Sequence, residues 1–413
     1  MSEWKEVKLG DVCEFKNGKK RPKEAGNIPV YGGNGILGYT NKFNNKKNAV
    51  IIGRVGAYCG NVYYVNNPIW VSDNAIVCLP KDKIVVKTIF YYLKHLNLNK
   101  YSIGSTQPLI TQETLKNLKI KLPPLPIQKK IADILSVIDE KIEILQNINE
   151  IFEEMAKAIF KSWFVDFDIV KAKTYGKSDS EEIAKEFGIS EEIVKLFPNE
   201  FETSEIGKIP KGWEVVYLKD EFKFERGVEP GSKWYIENPT KSEIQKKHLV
   251  PFYRVKDLDT AANIYIPMEV SKNKTSKFGD VLVSFDGTIG RVNAFLEGAY
   301  SSGIRKINAS KYSNAFVYFL MKSDYIQDLI RKYATGTTIL HAGKSINYLY
   351  LIKNDKIIKE YEKVIIPIFK TILSNTQQIQ TLQNLRDTLL PKLINGEIEV
   401  DKLNIKGIEN EFY

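Results

Sequence analysis

The chain states one segment twice. Trp4-x-x-Val7-x-Leu9-x-Asp11, followed by Phe15 and Gly18, returns as Trp213-x-x-Val216-x-Leu218-x-Asp220, followed by Phe224 and Gly227, six identities at one offset of 209 residues. Further along, Gly60-Asn61-Val62 corresponds to Gly290-Arg291-Val292 and Ser72 to Ser302, both at an offset of 230. Later still, Gly104-Ser105-Thr106 answers to Gly336-Thr337-Thr338. A repeat of this length commits the chain to two bodies of one design. The growing offset places insertions in the loops of the second copy, as expected of related domains whose binding preferences have diverged.

Each copy then runs into a long helical pattern. In the first, Ile127, Ile131, Ile134, Ile138, Ile142, Leu145, Phe152, Met155 and Ile159 follow steps of three and four residues, the spacing of a coiled-coil seam, with Asn149 in one seam slot. In the second, Tyr361, Ile365, Ile368, Ile372, Ile379, Leu382, Leu389 and Leu393 do the same, with Asn375 in a slot. A lone helix leaves such a stripe in water, so the spacing predicts that the two helices pack on each other, antiparallel. Two separate core helices are the alternative. The residues expected in the helix-pair packing are Ile131, Ile134, Ile138, Ile142, Leu145, Phe152, Ile365, Ile368, Ile372, Ile379, Leu382 and Leu389.

Pro123-Pro124-Leu125-Pro126 closes the first globular body and opens its helix, because proline suits a first helical turn but not an interior. From Asp168 to about Pro210 the composition turns polar, which reads as a linker carrying one short helix over Ser180–Leu196. Inside the bodies, strand-like runs (Ala49–Ile52, Val62–Val65, Val281–Phe285) alternate with turns, and helices are expected over Lys87–Leu96 and Ala315–Ile330. The expected architecture is mixed α/β (α+β): two similar globular domains separated by two long antiparallel coiled-coil helices, with a pseudo-two-fold internal repeat. The expected boundaries are 1–124 and 209–355 for the globular domains, 125–167 and 356–396 for the helical regions, 168–208 for the linker and 397–413 for a tail.

With 413 residues and 43% hydrophobic content the chain can bury two cores. Its longest apolar runs, Val281–Phe285 and Ala315–Met321, fall far short of the roughly 18–20 residues needed to cross a bilayer, and Met1–Gly10 lacks a signal-peptide pattern, so a cytoplasmic protein without a membrane partner is expected. Cys13, Cys59 and Cys78 are spaced as reduced core thiols, and with only His95, His248 and His341 besides, no metal site is expected. Sixty Lys+Arg against fifty Asp+Glu give a net charge of +10, which suits a polyanionic partner.

Gly33-Asn34-Gly35-Ile36-Leu37-Gly38 satisfies G-x-G-x-x-G but fails on context: Tyr39-Thr40-Asn41 is turn-like, and no Asp or Glu occurs between Glu24 and Asp73 to hold a ribose. No phosphate-binding G-x-x-x-x-G-K-[ST] and no H-E-x-x-H is present, nor the Asn/Asp-Pro-Pro-aromatic segment of adenine methyltransferases. Asp73 and Asp286 read as residues that position arginines or close turns. No catalytic residue and no cofactor in this chain is expected.

Four segments resemble the signatures of type I restriction-modification specificity subunits, the HsdS family. They are Leu122-Pro-Pro-Leu-Pro-Ile-Gln-Lys-Lys-Ile-Ala, Phe160-Lys-Ser-Trp-Phe-Val-Asp-Phe-Asp168, Gly207-Lys-Ile-Pro-Lys-Gly-Trp-Glu-Val215 and Leu389-Leu-Pro-Lys-Leu-Ile-Asn-Gly-Glu397. Ile28-Pro-Val-Tyr-Gly-Gly-Asn-Gly-Ile-Leu-Gly-Tyr39 and Gly279-Asp-Val-Leu-Val-Ser-Phe-Asp-Gly-Thr-Ile-Gly-Arg-Val292 are similar to the family's target-recognition domains. The resemblance implies a non-catalytic subunit with two such domains, each reading one half of a split asymmetric site on double-stranded DNA. The paired helices would set the spacer, a first helix from about Leu125 to Ser162 being a rod of roughly 55 Å. It further implies two methyltransferase (M) subunits carrying S-adenosylmethionine for adenine-N6 methylation, and restriction/translocase (R) subunits using ATP and Mg. A coiled-coil scaffold that binds no nucleic acid is the alternative.

The basic positions give the DNA-binding candidates. Lys16, Lys19, Lys20 and Arg21 crowd a glycine-containing loop after a strand, where cations neutralise phosphates, with a merely solvated loop as the other reading. For base readout the candidates are Arg54 and Asn61 in the first copy, and Arg226, Arg254, Arg291 and Arg305 in the second, all beside glycines or turns at strand ends. Lys306 is counted with its neighbour Arg305. Lys46, Lys47 and Lys256 fit backbone contacts, while Ser105, Thr106, Gln107, Thr337 and Thr338 follow a glycine where they either donate to phosphate or simply close a turn.

Overall fold

The structure, a computed structural model, describes residues 4–46, 48–104, 106–176, 179–336 and 340–400. It divides into two compact units, Met1–Ile144 with Ile379–Tyr413, and Leu145–Gln378. Two continuous 40-residue helices, Leu125–Phe164 and Asp355–Ile394, each contribute residues to both units.

In the first unit a four-stranded antiparallel sheet runs in the order Cys13–Asn17, Ala75–Pro80, Ala49–Gly53, Val62–Val65. Ala49–Gly53 reads as an unbroken apolar run because both its faces are covered. Val50 and Ile52 join a core with Phe15, Ile76, Cys78 and the helix residues Ile89 and Leu93, whereas Ala49 and Ile51 pack with Val65, Val71 and Val77 on the other side. Beside it lies a three-stranded sheet of Gly35–Thr40, Ile28–Gly32 and Trp70–Val71, the last pairing parallel. Gly33-Asn34 is therefore the turn of a hairpin rather than a cofactor loop, and Gly35 takes φ +79°, a conformation glycine adopts without strain.

Gln128 fixes the entry to the first long helix. It is 2% exposed, accepts from Val85 N–H at 3.0 Å and donates to Pro123 O at 2.9 Å, while Thr88 Oγ1 donates to its carbonyl at 2.8 Å. Ile127, Ile131, Ile134 and Leu135 then share a core with Leu390, Leu393 and Ile394 of the second long helix. Asp139 ties the pair laterally, accepting from Arg386 Nη1 at 2.8 Å and Tyr91 OH at 3.0 Å.

The second unit repeats the plan. Its four-stranded sheet runs Phe222–Arg226, Ile304–Ala309, Val281–Ser284, Val292–Asn293, and its second sheet has grown to five strands in which Leu249–Tyr253 and Gly298–Tyr300 pair parallel. The helix expected over Ala315–Ile330 is two, Asn314–Lys322 and Asp324–Lys332, because Ser323 is extended (φ −66°, ψ 141°) and caps the second by accepting from Ile326 N–H. The polar stretch read as a linker with one helix carries three, Asp168–Tyr175, Ser180–Phe187 and Glu191–Leu196. Gly188 at φ +64° separates the last two, and Ile169, Val170, Ile183, Val194 and Phe197 anchor the segment in the unit's main core.

That core also holds Phe160, Trp163, Phe164, Tyr361 and Ile365 from the two long helices. Tyr361 OH donates to Ala156 O at 2.9 Å and Asn375 Nδ2 to Asn149 Oδ1 at 2.8 Å, so one helix ascends as the other descends, as the seam spacing predicts. Ile131, Ile134, Ile138, Ile142, Leu145, Ile365, Ile372, Ile379 and Leu382 are all buried, with Phe152, Ile368 and Leu389 half-buried. Two slots differ from the expected seam: Met155 is 49% exposed while neighbouring Ala156 is buried, and Phe369 is buried more deeply than Ile368.

Candidate nucleic-acid interface

The duplication extends to individual backbone hydrogen bonds. In the first unit Gly18 N–H donates to Ala75 O, Lys19 N–H to Val71 O, Ser72 N–H to Tyr31 O, Gly53 N–H to Asn61 O, Gly60 N–H to Gly53 O and Ile110 N–H to Arg54 O. In the second, Gly227 N–H donates to Ile304 O, Val228 N–H to Tyr300 O, Ser301 N–H to Tyr253 O, Ser284 N–H to Arg291 O, Gly290 N–H to Ser284 O and Ala342 N–H to Phe285 O. Asn61 thus matches Arg291, as the glycine-flanked motifs predict, and Gly60 and Gly290 both take positive φ, +89° and +79°. One pairing is corrected: the counterpart of Ser72 is Ser301, not Ser302, because it is Ser301 N–H that bridges to the neighbouring strand.

Equivalent places carry different side chains. Arg54 of the first unit is matched by buried Phe285, and the Val55–Leu109 bridge by Asp286–His341. His341 Nδ1 lies 2.7 Å from Asp286 Oδ1, with the ring 61% exposed, so the carboxylate holds the imidazole while the rest of the ring faces solvent. Neither residue is among the DNA-binding candidates, the sequence reading Asp286 as a residue that positions an arginine or closes a turn. A lone histidine carries no local signal, and only the cross-strand register of Asp286 with His341 pairs them.

In the first unit Lys16, Lys19 and Lys46 line one groove with Asn17, Asn44 and Asn45. Lys16 pairs with Glu14 at 3.1 Å, both side chains more than half exposed, a contact worth little. The backbone of Lys19 is pinned, its carbonyl accepting from Trp70 Nε1 at 3.1 Å, which leaves its exposed side chain and that of Lys20 to solvent. Arg21 Nη1 donates to Leu37 O at 3.0 Å, and Lys46 Nζ sits 4.8 Å from the centre of the Phe43 ring. Arg54 is half-buried at the strand end. Asn61 is exposed and donates to Tyr63 OH at 3.3 Å, while Thr106 and Gln107 are exposed in their loop. Lys47, Ser105, Thr337 and Thr338 lie outside the described residues.

In the second unit Arg226, Arg254 and Lys256 meet in one cleft with Asp286, Ser302 and His341. Arg254 is engaged by Asp257 through Nε at 2.6 Å and Nη2 at 3.3 Å, which fixes its guanidinium at the cleft wall. Lys256 is exposed. Arg291, one third exposed, pairs with Asp259 at 3.3 Å. Arg305 is half-buried, and burial together with the neighbouring Arg226 charge holds its guanidinium below the usual arginine value. Lys306 faces the opposite side of its strand, 17% exposed, donating to Thr275 O at 2.9 Å with Asp280 at 3.5 Å; strand alternation takes it away from Arg305 and from the cleft.

The chain thus holds two units whose loops hang on one backbone frame, each copy followed in sequence by a long helix. Comparison with known proteins shows what it resembles. Residues 1–154 match the family described as Type I restriction modification DNA specificity domain. The chain is 29% identical to the Type I restriction enzyme MjaIX specificity subunit of Methanocaldococcus jannaschii over 83% of its length and 76% of the relative's. It is 26% identical to the Type I restriction enzyme HindI specificity subunit of Haemophilus influenzae over 96% of this chain and the whole of the relative. A crystal structure of the type I restriction-modification S subunit from M. genitalium shares the fold, with a TM-score of 0.56 at 17% identity, over 95% of this chain and 96% of that one. The chain is similar to type I specificity subunits along most of its length, in line with its signature segments, and the scaffold alternative is not favoured.

Proposed function

We propose that this chain is the sequence-specific DNA-recognition subunit of a type I restriction-modification complex, each head reading one half of a split, asymmetric site. The observation that carries this reading is the shared backbone frame bearing unlike side chains: Arg54 and Asn61 in one head, Phe285 and Arg291 in the other. Heads of one frame dock on a duplex alike, while different donors and acceptors select different base edges in the major groove. The chain's excess of cations supplies the sequence-independent attraction to phosphate.

The long helices are the proposed spacer, each about 60 Å long at the helical rise per residue. The internal repeat suits the docking of two identical methyltransferase subunits on one asymmetric chain, and restriction/translocase subunits complete the complex. S-adenosylmethionine, ATP and Mg belong, on this reading, to those partners. The test is selection from a random duplex library by the full chain assembled with its methyltransferase partner. The account expects two specified blocks separated by an unspecified gap of constant length; enrichment of no motif would overturn it.

A further inference from the structure

At the cleft of the second head, which Arg226 lines, stands a pair of like charges, one of them at a position where the first head keeps a core residue. Arg226 and Arg305 are direct cross-strand partners of an antiparallel pair, so both side chains leave the same face of the sheet. Two residues before Arg226 and two after Arg305 that face carries Phe224 and Ile307, which belong to or pack against the core. The hydrogen-bond frame equates Arg226 and Arg305 with Asn17 and Ile76, themselves cross-strand partners, and Ile76 is completely buried in the first head. Where the first head pairs exposed Asn17 with core Ile76, the second sets two guanidinium groups.

Both groups turn to one acceptor. Arg226 Nε donates to Ser302 O at 3.3 Å, and Arg305 Nη1 donates to the same carbonyl and to Ile304 O at 3.2 Å. Among the described residues neither makes an ion pair with a carboxylate. Like charges directly opposite on a sheet destabilise it, and half-burying one of them adds to the cost. Among the described residues, three hydrogen bonds to two backbone carbonyls stand against ten N–H donors, so most of the pair's hydrogen-bonding capacity is unused.

We propose that Arg226 and Arg305 together hold a paired acceptor of the DNA, either the O6/N7 edge of a guanine or a backbone phosphate, at a place where the first head has no equivalent grip. This inference rests on the proposed DNA-reading role and makes the second head the one that demands this acceptor. Arginine forks suit both sources, since each presents two oxygen or nitrogen acceptors side by side.

The test compares the full chain with Arg226→Gln, Arg305→Ala and Arg305→Lys, each assembled with the methyltransferase partner and challenged with random and selected duplexes. The unaltered chain's own selection reports on the DNA-reading role separately from the variants. With guanine as the acceptor, Arg226→Gln and Arg305→Ala relax one position of one half-site and lose about tenfold or more on the preferred sequence. Arg305→Lys relaxes it too, and 7-deazaguanine at that position weakens only the unaltered chain. With phosphate as the acceptor, the losses are uniform across sequences, Arg305→Lys retains most binding, and the salt dependence becomes shallower. In both arms the melting temperature of Arg226→Gln and Arg305→Ala stays level or rises, because a repulsion has been relieved. Unchanged selection and affinity in all three variants would overturn the proposal, as would a lowered melting temperature with unchanged DNA retention, which would make the pair structural.

Discussion

Asn375 Nδ2 donates to Asn149 Oδ1 at 2.8 Å within an otherwise apolar seam, and Asn149 Nδ2 reaches on to Thr376 Oγ1 at 3.4 Å. Asn375 is 8% exposed, so sliding one helix by a turn would strand a buried amide without a partner. The pair specifies register more than it adds stability. Replacing Asn375 alone by Leu should cost about 1–3 kcal/mol by leaving Asn149 unsatisfied. The double change Asn149→Leu with Asn375→Leu should recover most of that loss or exceed the starting stability. Thermal melts of the four proteins close a double-mutant cycle; zero coupling would refute the pairing.

Deleting one heptad from each long helix removes about 10 Å of rod, or about three base pairs of duplex. The expected outcome is a motif with a shorter gap and both half-sites intact, read by methylation mapping of the variant. A change in the specified bases would contradict the helix-spacer account.

Lys353 is 4% exposed and meets Glu221 at 3.1 Å, Asp355 at 3.0 Å and Tyr312 OH at 3.2 Å. Burial pushes the Glu221 carboxyl up, but hydrogen bonds from Tyr312, Lys353 and Lys311 outweigh it and hold the group below its ordinary value of 4.5. A carboxylate depressed in the folded state contributes stability that is complete above that ordinary value and fades as pH falls through the folded one. Unfolding followed by circular dichroism should therefore become easier below about pH 4.5. Lys353→Met should cost about 1–3 kcal/mol at neutral pH by removing the buried one of the two cations on Glu221, leaving Tyr312 and Lys311, and should shrink the loss on acidification. Adding Glu221→Gln should restore part of the stability.

Arg291→Ala should relax recognition in one half-site only, by about 1–3 kcal/mol where its contact is bidentate. Its partner Asp259 is 59% exposed, so the ion pair restrains the guanidinium weakly. Asp259→Asn should leave the selected motif unchanged and affinity equal or higher. Loss of binding in Asp259→Asn would show that the carboxylate positions Arg291 for readout.

Much of the fold was legible because the repeated residues do the same mechanical work in each copy. Leu9 and Leu218 are both fully buried, and each donates its N–H to the carbonyl of a leucine, Leu118 and Leu349. The seam was legible from isoleucine spacing, yet Met155 took a slot that belongs to Ala156, because alanine signals apolar burial faintly although its small side chain leaves room for the Tyr361 hydroxyl to reach its carbonyl. Matching by residue identity chose Ser302 over Ser301, a distinction that only the hydrogen-bond register makes. Among the candidate cations, neighbours in sequence proved to be on opposite faces, Arg305 turned to Ser302 O beside Arg226 and Lys306 turned to Thr275 and Asp280. The Arg226–Arg305 pairing and the Asp286–His341 contact join residues more than fifty positions apart, and no local pattern announces them.

Single-molecule methylation sequencing of DNA modified by this chain with its methyltransferase partner tests the central claim most directly. The account predicts adenine methylation in one motif made of two different specified blocks with a gap of fixed length, and loss of specificity in only one block when Arg291 is replaced. A continuous motif, two identical blocks, or methylation without sequence preference would contradict it.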